Sequence, residues 1–140
     1  MSSVNVRTLV NDFLTANWIT TPFFDLSDFT TNSDLPINTT DSWLGIQYFG
    51  GVEDIQSIPA KCYRETGAIS FHIVSPSGFT STAALTLCEQ LRDLLRDRRL
   101  GSLYFMEVRP PTDQSGKAIK FDGAWNGFVI ETVYWYDIAY

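Results

Sequence analysis

The single histidine, His72, carries the readiest acid–base chemistry in this chain of 140 residues. It stands in the run from Ala68 to Val74, where Ile69, Phe71 and Ile73 alternate with Ser70 and His72, so the imidazole points away from the apolar face. A general base needs a nucleophile and an orienting acid beside it, and the sequence offers neither a GxSxG turn nor a papain-like cysteine context. His72 is therefore expected at the surface or at an interface. Asp25, Asp28, Asp34 and Asp41 fall in one stretch and have the donors for calcium, but the EF-hand spacing and its closing Glu are missing. Asp in a Thr- and Asn-rich stretch ordinarily builds turns. Glu53 with Asp54, and Glu131 with Asp137, are carboxylate pairs that no spacing singles out. Cys62 and Cys88 have neither the CxxC spacing of a zinc site nor the density of a disulfide scaffold, and read as reduced thiols of a protein made in the cytosol. Pro76-Ser77-Gly78-Phe79 precedes a helical pattern but lacks the GK[ST] ending of a phosphate loop. No catalytic residue, metal ligand or cofactor is expected, and the chain reads as no enzyme.

Bulk composition narrows the class further. The hydrophobic fraction of 44% and charged fraction of 19% are those of a globular domain, enriched in Phe, Tyr and Trp. At this length one domain buries about two thirds of the surface its unfolded chain exposes. A formal net charge of −6 opposes phosphate binding and argues against a nucleic-acid reader, which presents a basic face. It is compatible with a channel through which DNA slides without sticking. No apolar stretch after Arg7 forms a secretory signal, and no window reaches the length of a membrane span.

The elements that would position these residues are legible in part. Residues 4 to 17 place Val6, Leu9, Val10, Phe13 and Ala16 on one helical face. From about residue 20 to 42 the pattern dissolves into a long connection pinned by Phe23, Phe24, Leu26 and Phe29. Trp43 to Phe49 reads as a strand ended by Gly50-Gly51. Lys61 to Arg64 and Ala68 to Val74 read as a hairpin closed by Glu65-Thr66-Gly67, half solvated on its Ser70 and His72 face. A second helix runs from Thr80–Thr82 to about Arg99, with Ala84, Leu87, Cys88, Leu91, Leu94 and Leu95 as its stripe and Gly101 as its stop. Its outer face alternates Glu89, Arg92, Asp93, Arg96 and Asp97, and Arg96, Arg98 and Arg99 sit where cations favour the helix terminus. Leu103 to Val108 is a strand, residues 110 to 126 a long polar loop, and Gly127 to Ile138 a strand apolar on both faces. This order predicts one α+β domain over residues 1–140, a mostly antiparallel twisted sheet with two helices packed on one face.

The arrangement resembles the tail terminator, or tail completion, proteins of long-tailed bacteriophages. The resemblance is carried by the N-terminal helix, "SWLGIQYFGG", "YRETGAISFHIVSPSGFTSTAALTLCEQLRDLL" and the ending "FDGAWNGFVIETVYWYDI", spread over nearly the whole chain without one specific motif. It implies a homo-oligomer, a hexameric ring, that stops tail-tube polymerisation and docks the tail to the head connector. The implied partners are copies of the chain, the tail tube protein and the head–tail connector protein, with DNA passing through unbound, no membrane, and a place in the virion after synthesis in the host cytoplasm. On that reading Trp125, Tyr134, Trp135 and Tyr136, with Arg92, Arg96 and Arg99, are candidate interface residues. Glu131 and Asp137 are candidate lumen-facing acids. Another neck or tail-completion protein stands as an alternative, and a small ligand-binding module or a His72-dependent enzyme as alternatives of another class.

Overall fold

Alternation of apolar residues is strongest in two segments, and these form the centre of the molecule. The computed structural model describes residues 4–26, 42–57, 62–76, 81–113 and 125–139. The elements run α1 (Val4–Asn17), β1 (Phe23–Asp25), β2 (Trp43–Ser57), β3 (Cys62–Pro76), α2 (Ser81–Leu95), β4 (Arg99–Leu100), β5 (Leu103–Val108), β6 (Thr112–Asp113) and β7 (Trp125–Ala139). They make one sheet in the order β1-β2-β3-β7-β5-β4, with β6 also against β7. Every pairing is antiparallel except that of β1 with β2. The fold is α+β with a mostly antiparallel sheet, as the periodicity predicts.

Cross-strand partners share a face, so the register defines two surfaces. Leu44, Ile46 and Tyr48 stand opposite Ile73, Phe71 and Ile69, and Phe71 stands opposite Ile130. This inner face forms one cluster with Val6, Val10, Phe13 and Leu14 of α1 and with Cys88, Leu91 and Leu95 of α2. Both helices thus bury their stripes against the same face. Leu14 replaces Ala16 in the stripe of α1, since Ala16 is exposed and Leu14 fully buried. At about 25 cal/mol per Å² of apolar area, these interdigitated side chains supply most of the drive to fold.

Three expectations fail, two of them at glycines. Glu65-Thr66-Gly67 is no turn: β3 runs unbroken from Cys62 to Pro76 and pairs on both sides, so the real hairpin joins β2 to β3. Gly67 lies opposite Tyr134, and a Cβ there would stand 2.7 Å from the tyrosine Oη. The glycine makes room for an aromatic partner inside a strand. Gly50-Gly51 likewise ends nothing. The register shifts between Phe49 and Val52, a bulge that bends β2, after which pairing resumes to Ser57. The third failure concerns α2, which stops at Leu95. Asp97 takes a positive φ of 53°, and Arg98 turns its Nε onto the Leu94 carbonyl at 3.0 Å. Arg99 then begins the β4–β5 hairpin, turned at Gly101 with φ 62°.

The long connection from residue 20 contains the parallel strand β1, and residues 110–126 contribute β6 and the start of β7. Residues 27–41, with Asp28, Phe29, Asp34 and Asp41, and residues 114–124 lie outside the described residues, as do Ser77, Gly78 and Phe79.

A Cβ on Gly51 would collide with the Thr66 carbonyl and the backbone of Gly67. Gly51→Ala should therefore open or shift the distal hairpin and lower unfolding free energy by about 1–3 kcal/mol, read as a reduced urea midpoint.

Candidate functional site

Away from the helices, the sheet carries a row of aromatic and ionic side chains that runs across four strands. Arg64 of β3 holds Asp137 of β7 through two hydrogen bonds, Nε to Oδ1 at 2.7 Å and Nη2 to Oδ2 at 3.0 Å. The same guanidinium lies over the Trp135 ring, 3.9 Å from its centroid. Trp135 packs against Tyr104 of β5 with ring centroids 5.4 Å apart, and Arg99 of β4 covers Tyr104 at 4.6 Å. Tyr104 donates to Asp97 at 2.9 Å. The register dictates this row, since Arg64 faces Asp137, Trp135 faces Tyr104, and Tyr104 faces Arg99 across adjacent strands.

Electrostatics follows the same contacts. The hydrogen bond from Arg64 holds the Asp137 carboxyl below its ordinary pKa, and the bond to Asp137 holds Arg64 above its own. Accepting from Tyr104, Asp97 pushes the phenol upward. Further along β7, Arg109 bridges Glu107 at 3.1 Å and Glu131 at 3.2 Å, and its pKa rises chiefly through the bond to Glu107. Beside this bridge Phe49, Ala68, Ser70 and Val133 line a shallow groove of about 220 Å³. Phe49 is 44% exposed and Val52, beyond the bulge, 63%.

The candidate residues separate into those on this face and those elsewhere. Trp135 and Arg99 belong to it. Tyr134 does not: it points to the helices, is fully buried, and donates to Glu65 Oε2 at 2.6 Å. It is a core residue because alternation along β7 sends neighbours to opposite sides. Tyr136 shares that inner side and packs on the core. Trp125 opens β7 opposite Pro76, and its side chain lies outside the described residues. Arg92 is mostly covered and pairs with Glu89 at 2.8 Å, while Arg96 is half exposed and pairs with Asp93 at 3.2 Å. Glu131 and Asp137 do share the outer face, but each is held by an arginine. Sequence reasoning missed Arg64 and Tyr104, whose signal was only their place in the alternation once the strand boundaries are right.

His72 is 3% exposed, not half solvated. Phe24 meets Trp43 edge-on at 6.0 Å, and Leu26 lies against Gly45, the cross-strand partner of His72, so this end of the outer face is covered. The imidazole contacts Gln47 Oε1 at 3.3 Å, and burial lowers its pKa to about 4. A neutral, enclosed imidazole on an amide is poorly placed to take a proton from a diffusing substrate. Both cysteines are free, and burial raises the Cys88 thiol to about 12, which leaves it unreactive. Asp25 is taken by Arg7, whose guanidinium also lies over Tyr48. These residues line a cleft of about 320 Å³ between α1 and the β1–β2 edge. Among the described residues no group of acids, His and Cys is arranged to hold a metal, and no helix is long and apolar enough to cross a membrane.

No protein-family model matches the chain, and no curated protein matches it in sequence. A solved structure shares the fold with a TM-score of 0.54 and 14% identity, over 90% of this chain and 94% of its own. At that identity the likeness establishes the α+β fold and nothing about activity.

Two outcomes follow from these buried groups. Because the folded pKa of His72 lies below 6.5, the unfolded chain binds the extra proton first. Stability should fall by up to about 3 kcal/mol as pH drops from 6.5 to 4. His72→Gln should flatten that limb of the melting-temperature profile, leaving the loss from Asp137 at still lower pH. Tyr134→Phe should cost about 1–2 kcal/mol in chemical denaturation, as loss of its hydrogen bond to Glu65 requires.

Proposed function

We propose that this chain is a structural subunit of a bacteriophage virion, one that assembles into a hexameric ring, caps the tail tube, stops its polymerisation and docks the tail to the head connector. The observation that carries the reading is a sheet that outgrows its helices. Past Phe49 every described side chain of β2 to Ile55 is exposed, and β1, the described neighbour on that side, ends opposite Ile46. A strand edge with no partner among the described residues is a template for another chain. The outer face adds aromatic and arginine side chains of the kind enriched at interfaces, with Trp135, Tyr104, Arg64 and Arg99 in one row.

A ring subunit needs two different lateral surfaces that meet head to tail, and axial surfaces for its neighbours in the particle. An asymmetric sheet with unlike edges supplies the first. On this reading the protein performs no reaction: its partners are its own copies, the tail tube protein and the connector protein, and DNA passes through without specific binding. It would be made in the host cytoplasm and reside at the head-proximal end of the tail. The burial of His72 against Gln47 speaks against the enzymatic alternative.

Native mass spectrometry and negative-stain imaging of the purified chain, alone and with tail-tube protein, test the proposal. Closed rings whose addition halts tube growth are expected. A chain that stays monomeric at high concentration and forms no ring with tube protein overturns it.

A further inference from the structure

Two edges of the one sheet carry opposite, unmatched charge. On the distal half of β2, Glu53 and Asp54 make no ion pair among the described residues, and they are flanked by Val52 and Ile55, 63% and 54% exposed. In the register Glu53 stands opposite Glu65, whose carboxylate accepts from Tyr134, and Asp54 stands opposite Arg64, whose guanidinium is held by Asp137. At the far edge of the sheet, Arg98 and Arg99 are exposed and close no ion pair among the described residues, although the field of Arg99 reaches Asp137. Arg98 donates to the Leu94 carbonyl, and Arg99 lies over Tyr104. Met106, 45% exposed at the β5 bulge, puts an apolar side chain on the same edge. In a chain of net charge −6, the two edges thus carry charges of opposite sign outside the ion pairs of the described residues.

Resting on the ring reading above, we propose that the partner of the distal β2 edge is the β4–β5 edge of a second copy of this chain, Glu53 and Asp54 meeting Arg98 and Arg99 and the contact covering the exposed Val52, Ile55 and Met106. The contact is heterologous, because the two surfaces differ, and it repeats from copy to copy until the rotation closes. It matches charge and apolar area at once, and it covers a strand edge that has no partner among the described residues. Its register is set by the bulge at Gly51, which aims the distal hairpin.

The test reverses the charges. Glu53→Lys with Asp54→Lys, and separately Arg98→Glu with Arg99→Glu, should each weaken self-association on the order of a hundredfold, measured by analytical ultracentrifugation. Circular dichroism melts identify any variant that has lost its fold, and Arg99→Glu alone, which keeps the Arg98 cap, serves if the double change is unstable. Mixing the two reversed proteins should restore rings, since every contact in an alternating ring is then complementary. If the wild type forms rings and the reversed variants form them equally well, the edge pairing is overturned and the ring reading stands. If both reversed variants dissociate and mixing restores nothing, the pairing is also overturned. A wild type that remains monomeric with and without tube protein sinks both.

Discussion

The pairing of β3 with β7 is the interaction on which the rest of the molecule depends. Two strands of 15 residues run antiparallel over their full length, from Cys62 opposite Ala139 to Pro76 opposite Trp125. At about 3.3 Å per residue the ladder spans roughly 50 Å, far longer than either helix. Inside it the Thr132 hydroxyl donates to the Ile69 carbonyl at 2.9 Å, a fully buried bond in an otherwise apolar layer. Every other strand except β1 and β4 takes its register from one of these two. The inner row, Ile69, Phe71, Ile73, Ile130 and Tyr134, is the floor on which both helices rest. The outer row carries Arg64, Trp135 and Asp137. A single slip of one residue would exchange these rows.

The mismatch between ladder length and helix length divides the molecule. Near Trp43, His72 and Val129 both faces are buried, so that end is held by packing on two sides. Toward Val52 and Ile55 the hairpin is held, among the described residues, by strand pairing and the Arg64–Asp137 ion pair. Exposed ion pairs contribute little individually, but the Arg64–Asp137 pair is bidentate and roofed by Trp135, which fixes the guanidinium in one orientation. That anchor stiffens the distal half of the ladder without helix cover. A projecting, ordered strand edge is the form in which an apolar surface can be offered to another chain without unfolding the first.

Much of this was legible in the sequence because its periodicities are strong. The stripe of α2 from Ala84 to Leu95, the strand Leu103 to Val108 and the alternation of β7 all appear as their spacing predicts. What misled was punctuation. Gly51 and Gly67 carry the usual signal of a strand end, yet both serve the sheet by leaving room, one for the Thr66 carbonyl and the other for the Tyr134 ring. No local rule distinguishes a glycine that stops a strand from one that a neighbour packs against, because the neighbour, Thr66 for Gly51 and Tyr134 for Gly67, lies on another strand. The C-terminal end of α2 was misread for the converse reason. Arg96, Arg98 and Arg99 have helical propensity, and the left-handed turn at Asp97 that ends the helix is a tertiary choice, fixed by the Tyr104 hydroxyl on its carboxylate. The row of Arg64, Trp135, Tyr104 and Arg99 depends on both of these points, so it could not be assembled from the sequence.

The distribution of charge also separates what the composition implies from what the surface offers. The chain has 16 acidic and 10 basic residues other than histidine. Among the described residues, Asp25, Glu89, Asp93, Glu107, Glu131 and Asp137 are each held by an arginine. The outer sheet face, including Glu131 and Asp137, is therefore close to neutral in its described part, however acidic the whole chain is. A wall that keeps DNA from sticking needs uncompensated negative potential, since phosphate is attracted wherever guanidinium is in excess. The described acids outside ion pairs include Glu53 and Asp54, on the edge assigned here to a neighbouring copy. On the ring reading, if that contact consumes them, the repulsive field must come from other acids, such as Asp12 on the exposed face of α1, rather than from the pair on β7. The helix side, and not the outer sheet face, would then line the passage.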